Sequence, residues 1–124
     1  MSLDTVGQAS YALVTSYRKD GRAVPTPVWV VRDGDTLALW TVTDSGKVKR
    51  IRREGRVRLA ACDARGGLRG EWLEGRARLR DDAGTERVRA LLRHKYGVMG
   101  RVTLFFSRLR RGRDGTIGIR VSLT

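Results

Sequence analysis

Apolar residues recur at every second position along much of this chain, and that alternation restricts the possible folds more than any other property of the sequence. Tyr11, Leu13, Thr15 and Tyr17 begin the pattern, and the Asp-Gly pairs at 20–21 and 33–34 divide it into runs typical of β-hairpins. The alternation returns near the end of the sequence. We therefore predict six strands, near residues 11–17, 23–31, 36–42, 57–61, 71–80 and 117–123.

Two segments change from strand-like to helical spacing. In residues 45–53 apolar positions lie three apart among basic residues, which predicts a short helix capped by Asp44 or Ser45. Thr85–Tyr96 predicts a second helix that Gly97 ends and that an aspartate of the preceding turn, at 81 or 82, caps. Residues 102–113 fit a helix or a strand equally well.

A run of hairpins with one helix between the third and fourth strands favours a mainly β fold with flanking helices. We predict a six-stranded antiparallel barrel, closed or partly closed, rather than a doubly wound parallel sheet. Pro25 and Pro27 cannot donate hydrogen bonds to a neighbour, so the first half of the second strand should lie at an edge or a bulge. The chain has 124 residues, which predicts one domain over 1–124.

The charge balance favours anionic partners. The chain has 26 Lys and Arg residues against 13 Asp and Glu residues, a net charge of +13. Nucleic acid, a membrane surface and a phosphorylated small molecule all fit that charge. Only the positions of the basic residues can separate these three.

Several site classes are excluded by residue counts. Cys62 is the only cysteine and His94 the only histidine, which excludes an intramolecular disulfide, a cysteine-based zinc site and a metal site built on histidines. The sequence contains no run of about 18 apolar residues and no signal-like N-terminus. We expect a cytoplasmic protein with no metal site and no membrane contact.

The segment with the most specific chemistry follows the third strand. Thr43-Asp44-Ser45-Gly46-Lys47 brings a hydroxyl, a flexible glycine and an ammonium to a helix N-terminus, where unpaired N–H groups attract anions. The segment therefore predicts a phosphate site. The simpler alternative is a capped surface helix with a basic face.

Four segments resemble the pyridoxamine-phosphate-oxidase-like split-barrel superfamily, and within it the actinobacterial class of F420-dependent oxidoreductases. They are Val24-Pro25-Thr26-Pro27-Val28-Trp29, Leu39-Trp40-Thr41 with Asp44-Ser45-Gly46-Lys47-Val48-Lys49-Arg50, Leu59-Ala60-Ala61-Cys62-Asp63, and Glu74-Gly75-Arg76-Ala77. The resemblance implies an FMN-binding type of split β-barrel. It covers nearly the whole chain.

The resemblance also implies roles for individual residues. Pro27, Val28 and Trp29 would line a tricyclic ring, and Thr41 would contact its pyrimidine edge. Ser45 and Lys47 would hold the phosphate, at the helix start that includes Gly46. Members that use FMN commonly have Ser-Arg-Lys here, so Lys49 and Arg50 are the candidates to replace the missing arginine.

The implied cofactor is the deazaflavin F420, with FMN as the alternative. F420 carries a phosphodiester and a polyglutamate tail, which the further cations Arg52 and Arg53 would suit. The resemblance then predicts a homodimeric oxidoreductase acting on a small molecule. Neither the substrate nor any catalytic residue can be identified from the sequence.

Two other functions remain open. The same barrel could bind a flavin or a tetrapyrrole without turnover, since a fold does not settle reactivity. A nucleic-acid-binding module is the less favoured alternative, suggested by the basic run at 108–113. The aromatic residues are not interleaved with the basic ones, unlike a platform for single strands.

Overall fold

The computed structural model describes residues 2–124, without the side chains of residues 2 and 113. Six strands and three helices are joined by short turns, and a 3-10 turn, Arg113–Gly115, precedes the sixth strand. The helices are α1 Ser2–Gln8, α2 Gly46–Arg53 and α3 Asp82–Arg111. The strands are β1 Tyr11–Tyr17, β2 Ala23–Asp33, β3 Thr36–Val42, β4 Arg56–Cys62, β5 Leu73–Leu79 and β6 Thr116–Leu123.

The strands form a closed antiparallel barrel in the order β1-β2-β3-β6-β5-β4, which confirms the predicted split-barrel class. β4 closes the barrel by pairing with β1, for example Leu13 opposite Ala60. β6 lies between β3 and β5, with Ile119 opposite both Leu39 and Leu79. Alternate residues of every strand therefore point into one core.

The barrel interior is filled by aliphatic side chains, and its largest fully buried members include Leu37, Leu39, Leu59 and Ile119. Val48 and Ile51 of α2 are also buried, so α2 packs against the barrel rather than standing free. Burial of these side chains, at about 25 cal/mol per Å² of apolar surface, is the main stabilising term.

A second apolar layer lies between α3 and the outside of the sheet. Val88, Leu92 and Leu104 of the helix are buried against Val31 and Ala38 of the hairpin β2–β3. Asp81 caps the start of the helix, because its carboxylate accepts a hydrogen bond from Gly84 N at 2.8 Å, as predicted for this turn.

Gly97 interrupts α3, because its φ of 60° and ψ of −133° are not helical. The predicted end of the second helix is therefore confirmed as a kink, and helix continues beyond it to Arg111. The segment 102–113, which fitted helix or strand, is helical through Arg111 because Leu104 packs into the outer layer.

The helix α1 was not predicted. Its seven residues are too few to form a stable helix in isolation, and Val6 is buried in the barrel core cluster, so packing supplies its stability. Strand β5 is shorter than predicted, at 73–79 rather than 71–80. Over residues 2–124, no helix combines the length and the apolar character needed to cross a membrane.

Candidate functional site

The start of α2 lies at one end of the barrel, directly after β3. Ser45 is extended, with φ −69° and ψ 156°, and its Oγ accepts a hydrogen bond from Val48 N at 3.4 Å. Ser45 is thus the N-cap, one of the two candidates from the sequence. The first N–H groups of the helix have no acceptor within it, so they are available to an anion.

Lys47 is buried at this end, with only 7% of its surface exposed. Its Nζ donates a hydrogen bond to Thr41 Oγ1 at 3.0 Å. Burial, and then the nearby Arg50, lower the pKa of Lys47 from its usual value. Within the described part of the chain no carboxylate forms an ion pair with it, so folding buries a cation without its own counter-charge.

Gly46 leaves space that Arg50 fills. A Cβ at position 46 would lie 2.8 Å from Arg50 Nη1, so the guanidinium folds back over the first turn of α2. Arg50 Nε donates to Ser16 Oγ at 2.7 Å, which ties this side chain to β1. Burial lowers the pKa of Arg50, and the nearby cations Arg18 and Arg53 lower it further.

A basic bowl of about 360 Å³ continues from Arg50 toward the β1–β2 turn. Five cationic side chains and one carboxylate line it. The carboxylate is that of Asp20, which already accepts a hydrogen bond from Arg22 Nε at 2.8 Å. Arg53 is fixed there because its Nη2 donates to Tyr17 O at 2.6 Å. The bowl consists of Arg18, Lys19, Asp20, Arg22, Arg50 and Arg53.

The residues of the basic bowl outside α2 were missed by the sequence analysis. Arg18, Lys19 and Arg22 belong to a turn that is 28 or more positions away from Arg50 in the sequence. The only local signal was a basic cluster in a hairpin turn, which is also common on solvated surfaces. Lys49, in contrast, is exposed on the outer side of α2.

The β2 residues of the candidate site are placed differently from one another. Pro27 is exposed, whereas Val28 is 7% exposed and packs in the barrel core, so only its backbone can meet a ligand. Trp29 stacks on Tyr96 at 4.3 Å between ring centroids, and Trp40 lies 6.0 Å away. Trp29 therefore packs against two other aromatic side chains of the protein.

Pairing between β2 and β3 stops at Trp29 opposite Trp40. Residues 23–28 pair only with β1, which confirms the predicted edge in the first half of β2. Thr41 instead pairs with Ile117 of β6. The strands thus separate just beside Thr41, and one backbone edge of β2 is left open next to the start of α2.

The candidate site therefore has two parts. Thr41, Ser45, Gly46, Lys47 and Arg50 form one cluster at the end of the barrel, which we call the α2 cluster. The segment 27–29 lies on the neighbouring strand, where the strands separate. The structure contains side chains that can bind an anion and orient a ring, and none of the predicted residues forms a constellation for acid–base catalysis.

Comparison with known proteins identifies the family. The family model for pyridoxamine 5'-phosphate oxidase matches residues 3–115. The search among curated proteins finds no significant match.

Solved structures share the fold at low sequence identity. A conserved hypothetical protein, Rv2991 of Mycobacterium tuberculosis, is 21% identical with a TM-score of 0.72, over 98% of this chain and 77% of that one. An F420 reductase is 18% identical with a TM-score of 0.63, over 98% and 91%. The heme storage protein HutZ of Vibrio cholerae is 9% identical with a TM-score of 0.68, over 98% and 86%. The match over residues 3–115 and the six-stranded barrel together show that this chain belongs to the pyridoxamine 5'-phosphate oxidase family.

Proposed function

We propose that the protein is an oxidoreductase that binds F420, with the phosphodiester at the α2 cluster and the ring along residues 27–29. The observation that carries the proposal is the buried ammonium of Lys47, which has a hydroxyl partner but no carboxylate among residues 2–124. A buried charge is costly unless an opposite charge approaches it. A bound phosphate would supply that charge.

The contact between Gly46 and Arg50 supports the same site. Family members with Ser-Arg-Lys have an arginine where this chain has Gly46, and the Arg50 guanidinium lies where a side chain at 46 would begin. Arg50 would therefore replace the missing phosphate ligand. Lys49 is exposed and has a smaller part in the proposal, as a long-range charge.

The basic bowl favours F420 over FMN. FMN ends at one phosphate, whereas the polyglutamate tail of F420 continues beyond its phosphodiester. Five cationic side chains in a bowl that shares Arg50 with the α2 cluster would bind such a tail. The F420 reductase with the same fold adds weak support.

A homodimer is part of the proposal. One stripe of α3 exposes Val98, Val102, Phe105 and Leu109, each between 49% and 76% exposed, at a spacing of four, three and four residues. Such an apolar stripe on one helix face is typical of a subunit contact. A partner would also enlarge the cleft for a tricyclic cofactor. A monomeric mass at micromolar concentration would contradict this part.

Hydride transfer would be supplied by the cofactor when it is bound. The chain itself would bind the phosphate through Ser45 and Lys47, orient the ring with the backbone of β2, and exclude water. This division of work agrees with a candidate site that has no acid–base pair among the described residues.

The experiment is a titration of the purified protein with F420, FMN and hemin, each followed by its own absorbance or fluorescence. We expect F420 to bind more tightly than FMN, and Lys47→Ala to weaken F420 binding by about 1–3 kcal/mol because a charge-assisted hydrogen bond is lost. Arg65→Ala, which removes an exposed cation in the β4–β5 turn, is the matched control and should have no effect.

Arg53→Ala distinguishes F420 from FMN, because Arg53 belongs to the basic bowl and not to the α2 cluster, so it would contact only the tail of F420. We expect it to weaken F420 binding and to leave FMN binding unchanged. Wild-type affinity and salt dependence in Lys47→Ala would show that the phosphate site lies elsewhere. If only hemin binds, the result would favour the non-catalytic alternative, because a heme storage protein has the same fold.

A further inference from the structure

A groove of about 340 Å³ lies between the end of β3 and the second part of α3, and it shares only Thr41 with the α2 cluster and no residue with the basic bowl. Trp40 and Val42 of β3 and Phe106 of α3 form its apolar walls. Thr103 and Ser107 add hydroxyls, and Arg110 and Arg111 add two guanidinium groups to the lining. We call it the β3–α3 groove. Its volume lies at the lower limit of ordinary small-molecule sites, about 300 Å³.

The groove and the exposed apolar stripe occupy different faces of α3. The stripe consists of residues 98, 102, 105 and 109, whereas the groove is lined from 103, 106, 107 and 110. At about 100° per residue, the centres of these two sets differ by roughly a third of a turn. A subunit contact through the stripe therefore does not fill the groove.

The polar groups of the groove have capacity to bind a ligand. Neither Arg110 nor Arg111 forms an ion pair with a carboxylate in the described part of the chain. Two cations without a carboxylate partner in the lining of an apolar cleft favour a ligand with an anionic group.

The groove is continuous with the α2 cluster through one residue. Thr41 lines the groove and also accepts the hydrogen bond from Lys47. A molecule in the groove would therefore lie against the strand whose end meets the proposed cofactor site. Such a neighbouring position would suit a substrate of the proposed reaction.

We propose that the β3–α3 groove binds a small organic molecule with a flat apolar body and one carboxylate or sulfonate-like group. The apolar body lies between Trp40 and Phe106, and Arg110 and Arg111 bind the anionic end. The assignment of this molecule as the substrate depends on the proposed function, but the binding site itself does not.

The test uses two matched probes, 8-anilinonaphthalene-1-sulfonate and its uncharged analogue N-phenyl-1-naphthylamine, with the whole chain and no cofactor. We expect one sulfonate site per chain, at least about tenfold tighter than the uncharged probe, since charge-assisted hydrogen bonds contribute that much. The double variant Arg110→Gln/Arg111→Gln should bind both probes equally. Thr103→Trp should weaken both probes by filling the groove.

Two controls keep the result specific. Arg65→Gln/Arg101→Gln removes two exposed cations elsewhere and should keep the preference for the sulfonate. Val98→Ser/Leu109→Ser changes only the exposed stripe and should keep both affinities. Loss of sulfonate binding in the stripe variant, or equal probe affinities in the wild type, would overturn the proposal.

The outcomes also separate this proposal from the proposed function. F420 titrations of the same proteins should give wild-type affinity for Arg110→Gln/Arg111→Gln, because those residues lie outside the α2 cluster. If neither F420 nor FMN binds but the sulfonate is still preferred, the proposed function is wrong and the binding site in the β3–α3 groove is supported. If F420 binds and the wild type does not distinguish the probes, only the groove is wrong.

Discussion

Two lysines are partly or fully buried in this protein, and their surroundings differ. Lys95 of α3 donates hydrogen bonds to three backbone carbonyls, Gly7 O at 2.8 Å, Ala9 O at 2.6 Å and Val30 O. Lys47 of α2 has one hydroxyl partner, Thr41. The donors of Lys95 are used by the protein itself, whereas those of Lys47 remain available. We infer that Lys95 is structural and that Lys47 is part of a binding site.

The region around Lys95 joins three elements. Its carbonyl partners belong to the end of α1 and to β2, and the neighbouring Tyr96 donates its hydroxyl to Ser10 O at 2.6 Å. The Tyr96 ring stacks on Trp29. Lys95 and Tyr96, which are consecutive residues of α3, thus connect that helix to α1 and β2. We call this region the α1–β2–α3 junction.

Lys95→Met gives the largest expected effect. It leaves the carbonyl oxygens of Gly7 and Ala9 without this partner, and we expect the free energy of unfolding to fall by about 2–3 kcal/mol. Urea denaturation at pH 7, followed by circular dichroism, measures the loss. The comparison fails if Lys95→Met and Lys47→Met destabilise the fold equally.

Gly97→Ala should cost somewhat less, about 1–2 kcal/mol, because its backbone region is strained for any residue with a Cβ. No atom lies within 4 Å of that Cβ, so the cost comes from the backbone alone. If the kink helps to position Lys95, the double variant Lys95→Met/Gly97→Ala should lose less stability than the two single changes together. Additive losses would show that the kink and the α1–β2–α3 junction are independent.

The barrel could be predicted from the sequence because each strand and each turn is specified by residues that are close together in the sequence. Alternation along each strand and Asp-Gly turns predicted all six strands, and Ser45 and Gly97 were identified by helix-end chemistry. Helix α1 could not be predicted, because its stability comes from contacts with the barrel rather than from its seven residues.

The candidate site was only partly predictable for the same reason. Ser45, Gly46 and Lys47 are adjacent in the sequence, and the α2 cluster includes all three. Arg18 and Arg22 join Arg50 only because the β1–β2 turn folds over α2. The burial of the Val28 side chain follows from strand register, which the prolines nearby do not determine.

Lys47→Met should change the free energy of unfolding by less than about 1 kcal/mol, and in the direction of greater stability. The variant removes a buried charge and one hydrogen bond, and these two contributions oppose each other. The same urea experiment without cofactor measures the effect. A loss above about 2 kcal/mol would make Lys47 a structural residue like Lys95.

The pH dependence of stability tests the surroundings of Lys95 in a separate way. Burial lowers the pKa of Lys95 from 10.5 to about 8. Between pH 8 and 10.5 the unfolded chain keeps a proton that the folded chain has lost, so the free energy of unfolding should rise with pH through Lys95. The stability difference between wild type and Lys95→Met should therefore grow from pH 7.5 to pH 9.5.

Tyr96 limits the upper end of that window. Burial raises the pKa of Tyr96 to about 12. Above pH 10 the folded chain therefore keeps a phenol proton that the unfolded chain has lost, and the contribution of Tyr96 to the free energy of unfolding falls as the pH rises. A stability difference that stays constant between pH 7.5 and pH 9.5 would show that Lys95 keeps its proton in the folded state.

The position of β6 between β3 and β5 has a consequence for biosynthesis. The ribosome makes those two strands before residues 116–123 exist, so both expose unpaired backbone edges while the nascent chain is still being extended. The barrel can close only after β6 has left the exit tunnel. Until then, pairing with other nascent chains competes with correct folding, and chaperones that shield open strand edges would raise the yield of folded protein.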